Sequence, residues 1–259
     1  MQGTVLDRFR LDGKVALVTG GGDGIGFAAG SHLASAGAVV AILDKDKAKA
    51  AAAAQSIAAD SGHAMAITAD VTEEAEVVAA TEEVVRRFGR LDIRVNNAGT
   101  AIRSPATEMT VEDWNRVVAV NLTGMFLSAR SAARHMKQLG NGGAIINTAS
   151  IMGLSGGLYP NVAYQTTKGG VVNMTRALAL EWVNDRIRVN AVAPTYVRTG
   201  FIAVLLDNPQ IVAAIEAATP MGRIAEPEEV ADAILFLSSP AAAMITGVIL
   251  PVDGGYLAR

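Results

Sequence analysis

Thr19-Gly20-Gly21-Gly22-Asp23-Gly24-Ile25-Gly26 directly follows the apolar run Lys14 to Thr19 and opens a helical pattern that continues through Leu33. Strand, glycine turn and helix in that order begin a β-α-β unit. Glycines there permit a tight turn and let backbone N–H groups approach an anion, whose charge the amino end of the helix favours. Glycine-rich loops are common for bland reasons; the position between strand and helix makes this one a candidate dinucleotide site.

Outward from that loop, the runs Val39 to Leu43, Ala64 to Ala69, Leu91 to Asn96, Ala144 to Thr148, Arg188 to Ala193 and Gly247 to Leu250 read as further strands. Helical stretches separate most of them: Asp46 to Asp60, Glu73 to Phe88, Val111 to Gln138, Val162 to Trp182 and Pro227 to Leu237. Parallel neighbours need long crossovers, and both sheet faces must be covered. The prediction is a doubly wound α/β fold, a mostly parallel seven-stranded sheet with helices on both faces, in one domain over residues 1–259. Pro194, Gly200, Pro209 and Pro220 bracket about one helix's worth of apolar residues after the sixth strand, a candidate substrate lid.

The bulk numbers set limits. The chain has 259 residues, 51% hydrophobic and 18% charged, which excludes disorder as its main state. A net charge of −3 lacks the basic surplus that nucleic acid or anionic membrane binding uses. There is no cysteine, and His32, His63 and His135 are scattered, so no metal site is expected. Asp7, Arg8, Arg10 and Asp12 precede the first apolar run, unlike an export signal, and Phe236 to Val252 is too broken by Ser238, Ser239, Pro240, Gly247 and Pro251 to span a bilayer. A cytoplasmic protein is expected.

Asp44 ends the second strand 18 residues past Gly26, close to the about 20 at which an acid meets adenosine ribose hydroxyls. With Asp23 in the glycine loop it would repel a 2′-phosphate, so NAD is expected over NADP. The alternatives are that Asp44 only starts the polar turn Lys45-Asp46-Lys47, or that Lys45 swings toward a phosphate.

Tyr164 and Lys168 stand four residues apart, on one face of the helix they begin. A phenol titrates near about 10, and an adjacent ammonium favours its ionised form, which makes it a usable acid or base. Such a pair usually decorates a helix surface. Here Ser150 closes the fifth strand 14 residues upstream, placed to hold a substrate oxygen. Asn121, with Gly124 three residues on, is a poor helix choice inside a helical run and points to a local interruption, the alternative being a surface residue.

Together these residues resemble the short-chain dehydrogenase/reductase family over essentially the whole chain. Thr19 to Gly26 is similar to its TGxxxGxG, Asn96-Asn97-Ala98-Gly99 to its NNAG, and Asn121, Ser150, Tyr164 and Lys168 to its catalytic set. The resemblance implies that Tyr164 transfers the proton, Ser150 polarises the substrate oxygen, Lys168 lowers the phenol's pKa and binds the nicotinamide ribose, and Asn121 holds a relay water. It implies a cofactor site of Gly20, Asp23, Gly24, Ile25, Gly26 and Asp44, with Asp70 and Val71 at the adenine. Asn97, Ala98 and Gly99 would support the adenosine side, and Pro194, Val197 and Thr199 the nicotinamide end. Val252-Asp253-Gly254-Gly255 resembles the family's ending, which implies a homo-oligomer, commonly a tetramer.

Two departures stand out. Thr195 replaces the glycine usual after Pro194, and a β-branched residue takes glycine's conformations poorly. Arg94 interrupts an apolar strand and, if buried, needs a carboxylate or carbonyl partner.

Substrate choice is expected in Ile151 to Asn161, Thr100 to Ser104 and the lid. Ser150, Met152, Asn161, Tyr164 and Tyr196 are the candidate substrate contacts. Leu154, Leu158 and Tyr159 would add apolar wall, and Arg103 and Arg198 hydrogen bonds unless they are solvated surface charges. The reaction expected is hydride transfer between NAD(H) and a secondary alcohol or ketone, a sugar, polyol or related compound. The alternatives are an NADPH-dependent 3-oxoacyl thioester reductase and a catalytically silent dinucleotide sensor or scaffold.

Overall fold

A computed structural model describes residues 4–259. Seven strands, β1 (Val15–Thr19), β2 (Val39–Asp44), β3 (Ala64–Thr68), β4 (Ile93–Asn96), β5 (Gly143–Thr148), β6 (Ile187–Pro194) and β7 (Ile249–Val252), form one sheet. Every neighbouring pair is parallel, in the order β3-β2-β1-β4-β5-β6-β7. The winding reverses between β1 and β4, so the crevice outside their carboxyl ends is where a doubly wound sheet binds ligands.

Helices cover both faces. Against one lie α1 (Gly24–Ser35), α2 (Lys47–Ser61) and α9 (Pro227–Ser238), which bury Leu33, Ile57 and Ile234. Against the other lie α3 (Glu74–Phe88), α5 (Gly124–Leu139) and α6 (Val162–Glu181), which bury Val77, Met136 and Leu178. Side-chain caps set several starts: Asp46 Oδ1 accepts from Ala48 N at 2.9 Å and Lys49 N at 3.1 Å to begin α2.

The structure shows the interruption expected at Asn121 and corrects two boundaries. Val111 to Gln138 is not one helix: α4 (Val111–Val118) and α5 are separated by a widened, π-type turn at Ala119–Thr123 that contains Asn121. The lid holds two helices, α7 (Ala203–Leu206) and α8 (Pro209–Ala218), because Asn208 Oδ1 caps a new start at Gln210 N (3.0 Å) and Pro209 has no N–H to continue the old helix. The last strand begins at Ile249, since Gly247 turns at φ 77° before the ladder can form.

Arg94 is fully buried in β4, and its carbonyl partner is an amide: Nε donates to Asn96 Oδ1 at 3.0 Å. Asn96 Nδ2 continues to Asn147 Oδ1 (2.9 Å), and Asn147 Nδ2 to Thr175 Oγ1 (3.0 Å), a polar chain under the sheet. Thr195 keeps a negative φ and its N–H donates to Val252 O at 3.1 Å, so the missing glycine strains nothing. No single helix among the described residues is long and apolar enough to cross a membrane. No group of three or more His, Cys, Asp or Glu among them gathers as metal ligands do.

Candidate active site

A cavity of about 420 Å³ opens at the carboxyl edge of the sheet, between the loops leaving β1 and β4 and those leaving β5 and β6. Gly20, Asp23, Gly24, Ile25 and Asp44 line one end. Gly26 lies behind them, where an added Cβ would stand 2.0 Å from Gly20 O, so the turn can close only around glycine. Asp44 Oδ2 accepts from Gly22 N at 3.1 Å and ties β2 to the loop. The cation at this end is Lys49, one turn into α2, whose Nζ pairs with Asp23 Oδ2 at 3.2 Å; Lys45 is exposed and outside the lining. Asp70 and Val71 are outside it as well. Asp70 Oδ1 holds Thr72 through N (2.9 Å) and Oγ1 (2.8 Å), and Val71 is buried against Gly124.

Asn97, Ala98 and Gly99 line the middle and join the two ends. Asn97 Nδ2 donates to Gly20 O at 3.0 Å, and Thr148 Oγ1 donates to Asn97 Oδ1 at 3.3 Å. Thr148 O in turn accepts from Lys168 Nζ at 2.5 Å, so one line of hydrogen bonds runs from the glycine loop to the buried amine. Asn121 stands behind Gly99, outside the lining and fully buried. Its Oδ1 accepts from Thr100 N (2.8 Å), while Nδ2 donates to Thr100 O (2.9 Å) and Thr167 Oγ1 (3.2 Å).

Ser150, Tyr164 and Lys168 line the far end, with Met152, Asn161 and Tyr196. Ser150 caps the short turn Ile151–Gly153 through a 3.1 Å bond from Met152 N to its Oγ. Tyr164 and Lys168 converge as the helical spacing demands, with Nζ 5.6 Å from the phenol ring centroid. Phe201 leans over Tyr164 at 5.9 Å between centroids. Burial pushes the Tyr164 phenol above its ordinary value, with the Ser150 hydroxyl and the Arg103 charge pulling the other way. Burial also lowers Lys168, to about 8.

Pro194, Val197 and Thr199 border the junction of the two ends, and Tyr159 adds wall. Leu154 and Leu158 are partly exposed and Arg198 pairs with Glu226 at 3.0 Å, all outside the lining. Sequence reasoning missed Lys49, Phe201 and Gly153. Gly153 touches the α6 backbone so closely that a Cβ would stand 2.5 Å from the Lys168 carbonyl carbon. A glycine three residues after the strand-ending serine was the available signal. Gly153→Ala is expected to force the Ser150 turn off α6, costing about 1–3 kcal/mol, read as a lower melting temperature. Turnover should fall about tenfold or more in steady-state kinetics.

A doubly wound sheet with a glycine turn at its carboxyl edge and a serine–tyrosine–lysine cluster across the cavity defines a Rossmann-type α/β protein. The family profile described as Enoyl-(Acyl carrier protein) reductase matches residues 20–257. Similar proteins include D-threitol dehydrogenase of Mycolicibacterium smegmatis, 44% identical over 96% of this chain and 94% of that protein. Galactitol 2-dehydrogenase (L-tagatose-forming) of Cereibacter sphaeroides is 42% identical over 96% of each. Among solved structures, a gluconate 5-dehydrogenase from Burkholderia cenocepacia in complex with NADP and tartrate superposes with a TM-score of 0.94 at 38% identity, over 99% of this chain and 100% of that one. The chain belongs to the short-chain dehydrogenase/reductase family. It is an oxidoreductase acting on CH–OH groups.

Proposed function

We propose that the protein transfers hydride between NAD(H) and a secondary alcohol of a sugar, polyol or related hydroxy compound, with Tyr164 as general acid and base. The observation that carries this is Ser150, Tyr164 and Lys168 on one cavity wall, joined through Thr148 and Asn97 to the glycine loop. The residues fit a dinucleotide: Gly20, Gly24 and Ile25 line the cavity on a turn that closes only around Gly26, and Asp44 lines the same end, where it would accept from ribose hydroxyls. Thr199 would meet the nicotinamide end, Asn97 to Gly99 the adenosine side, and Asp70 and Val71 would act from beyond the lining. When bound, the cofactor supplies the hydride acceptor or donor.

In oxidation the hydride leaves the carbinol carbon with its electron pair, and the O–H proton passes to Tyr164 Oη. Ser150 Oγ–H holds the same oxygen as the carbonyl forms. Lys168 Nζ, anchored on Thr148 O, would hold the nicotinamide ribose and pass the proton on through water beside Asn121, whose amide fixes the loop at Thr100. The segment 194–220 closes over the substrate. The same reading carries a homotetramer in the cytoplasm, which a native mass measurement tests for the assembly.

The coenzyme preference rests on charge. Asp44→Asn keeps the oxygen that accepts from Gly22 N and removes the carboxylate. The ratio of kcat/KM with NADPH to that with NADH should rise about tenfold or more. Steady-state assays with both coenzymes on a panel of polyols, sugars and β-keto esters test the whole reading, and much better turnover of a β-keto ester with NADPH would overturn it. That outcome would favour a 3-oxoacyl thioester reductase, the alternative that Lys49 at the adenosine end supports.

A further inference from the structure

Three polar groups at the reacting end have no hydrogen-bond or ion-pair partner among the described residues. Arg103 lines the cavity with Ser150, Asn161 and Tyr164, yet makes no ion pair or hydrogen bond among the described residues. The other cations of the lining are engaged, Lys49 by Asp23 and Lys168 by Thr148 O. The lining carboxylates, Asp23 and Asp44, both belong to the glycine-loop end, where they hold Gly24 N and Gly22 N. Asn161 occupies the first position before α6, where an asparagine ordinarily caps the helix through its side chain. It makes no such bond, and its Oδ1 is buried without a partner. Thr195 Oγ1, also in the lining, is buried and unpartnered too.

The chemistry of these groups is selective. A guanidinium only donates and carries a full charge, whereas an amide oxygen only accepts. A ligand that satisfies both presents an anionic acceptor to Arg103 and a hydroxyl donor to Asn161. A neutral polyol serves the second and leaves the first with neutral partners only. A simple ketone serves neither. A planar fork that carries the lining's one unpartnered charge among the described residues, on a wall it shares with Met152, Tyr159 and Tyr196, suits a carboxylate, which a guanidinium grips through two parallel bonds.

We propose that the substrate is a hydroxy carboxylic acid of the aldonate type, with its carboxylate on Arg103 and a hydroxyl beside the reacting carbon on Asn161 Oδ1. This rests on the hydride-transfer reading of the same cavity and names its substrate class. Arg103 also sends its field to the reacting oxygen: burial raises the Tyr164 and Tyr196 phenols, and Arg103 opposes the shift at both.

The test compares an aldonate with the alditol of the same carbon chain and with the corresponding sugar phosphate, using NAD at fixed ionic strength. The wild-type enzyme should prefer the aldonate by about tenfold to a hundredfold in kcat/KM, mainly through KM. Arg103→Gln should collapse that preference, Arg103→Lys should restore part of it, and Asn161→Ala should weaken the acid and the alditol together. Calorimetric titration of the aldonate into the enzyme–NADH complex reads the same recognition without turnover, and Arg103→Gln should abolish it. Preference for the alditol or the phosphate, or an equal loss on acid and alditol in Arg103→Gln, would overturn the assignment while leaving the hydride-transfer reading intact. No turnover of any alcohol with either coenzyme, by contrast, would overturn both.

Discussion

Tyr164→Phe should lower kcat for alcohol oxidation by about a thousandfold, with NADH still binding, as fluorescence titration reads. The substitution removes one oxygen and keeps the ring that packs beneath Phe201, so the cavity's shape survives and the proton acceptor does not. The pH profile supplies the second readout. Burial holds the phenol above its ordinary value, and oxidation requires the phenolate, so the wild-type rate should climb throughout the neutral to alkaline range. Reduction draws on the protonated phenol and should be sustained toward lower pH. Both dependences should vanish in the variant. A variant that keeps most of its turnover would remove the phenol from the chemistry, and binding lost together with rate would point to damage instead. A silent sensor would lose neither binding nor signalling.

Arg94→Leu should raise stability by about 1–4 kcal/mol, an increase in melting temperature of roughly 2–10 °C for a domain of this size. Replacing a buried charge normally weakens a protein, because its partner is left behind unpaired. Here the guanidinium itself is under-satisfied: it is fully buried, Nε alone has a partner, and Nη1 and Nη2 have none among the described residues. Its strand neighbours in register are Leu17 and Ile145, and burial drives its pKa down to about 9. Leucine would meet an apolar environment on both sides and leave only the Asn96 oxygen short of a donor. Thermal and urea unfolding measure the change, and a lower midpoint in both would show that the guanidinium has partners worth more than its desolvation costs.

The parts of this molecule that were readable beforehand are those governed by local periodicity. Apolar runs at strand length, spaced by helical stretches, specify the parallel sheet. The spacing between Tyr164 and Lys168 places both on one helix face whatever the fold around them. The break near Asn121 was visible too, because an amide followed by Gly124 conflicts with an otherwise strong helix. Relations set by the rotation of one element against another were not readable. Whether Lys45 or Lys49 reaches the glycine loop depends on how α2 is turned about its axis, and a helix started by Asp46 presents Lys49. Gly153 looks like any loop glycine until α6 passes against it. The lid's two helices follow from Asn208 and Pro209 acting as a start signal inside what reads as one apolar stretch.

The chain divides its labour along the order in which it is written. The glycine-loop end of the cavity, Asp44 and Lys49 included, is lined from residues before Thr100, while the reacting end, Arg103 aside, and the Pro194, Val197 and Thr199 border between the two come from Thr148 onward. The two stretches meet at the β4–β5 seam, where Thr148 bonds to Asn97. Nucleotide preference and substrate preference can therefore drift separately. A chimaera joined between those strands would inherit each trait from a different parent, provided both parents keep that threonine and that asparagine.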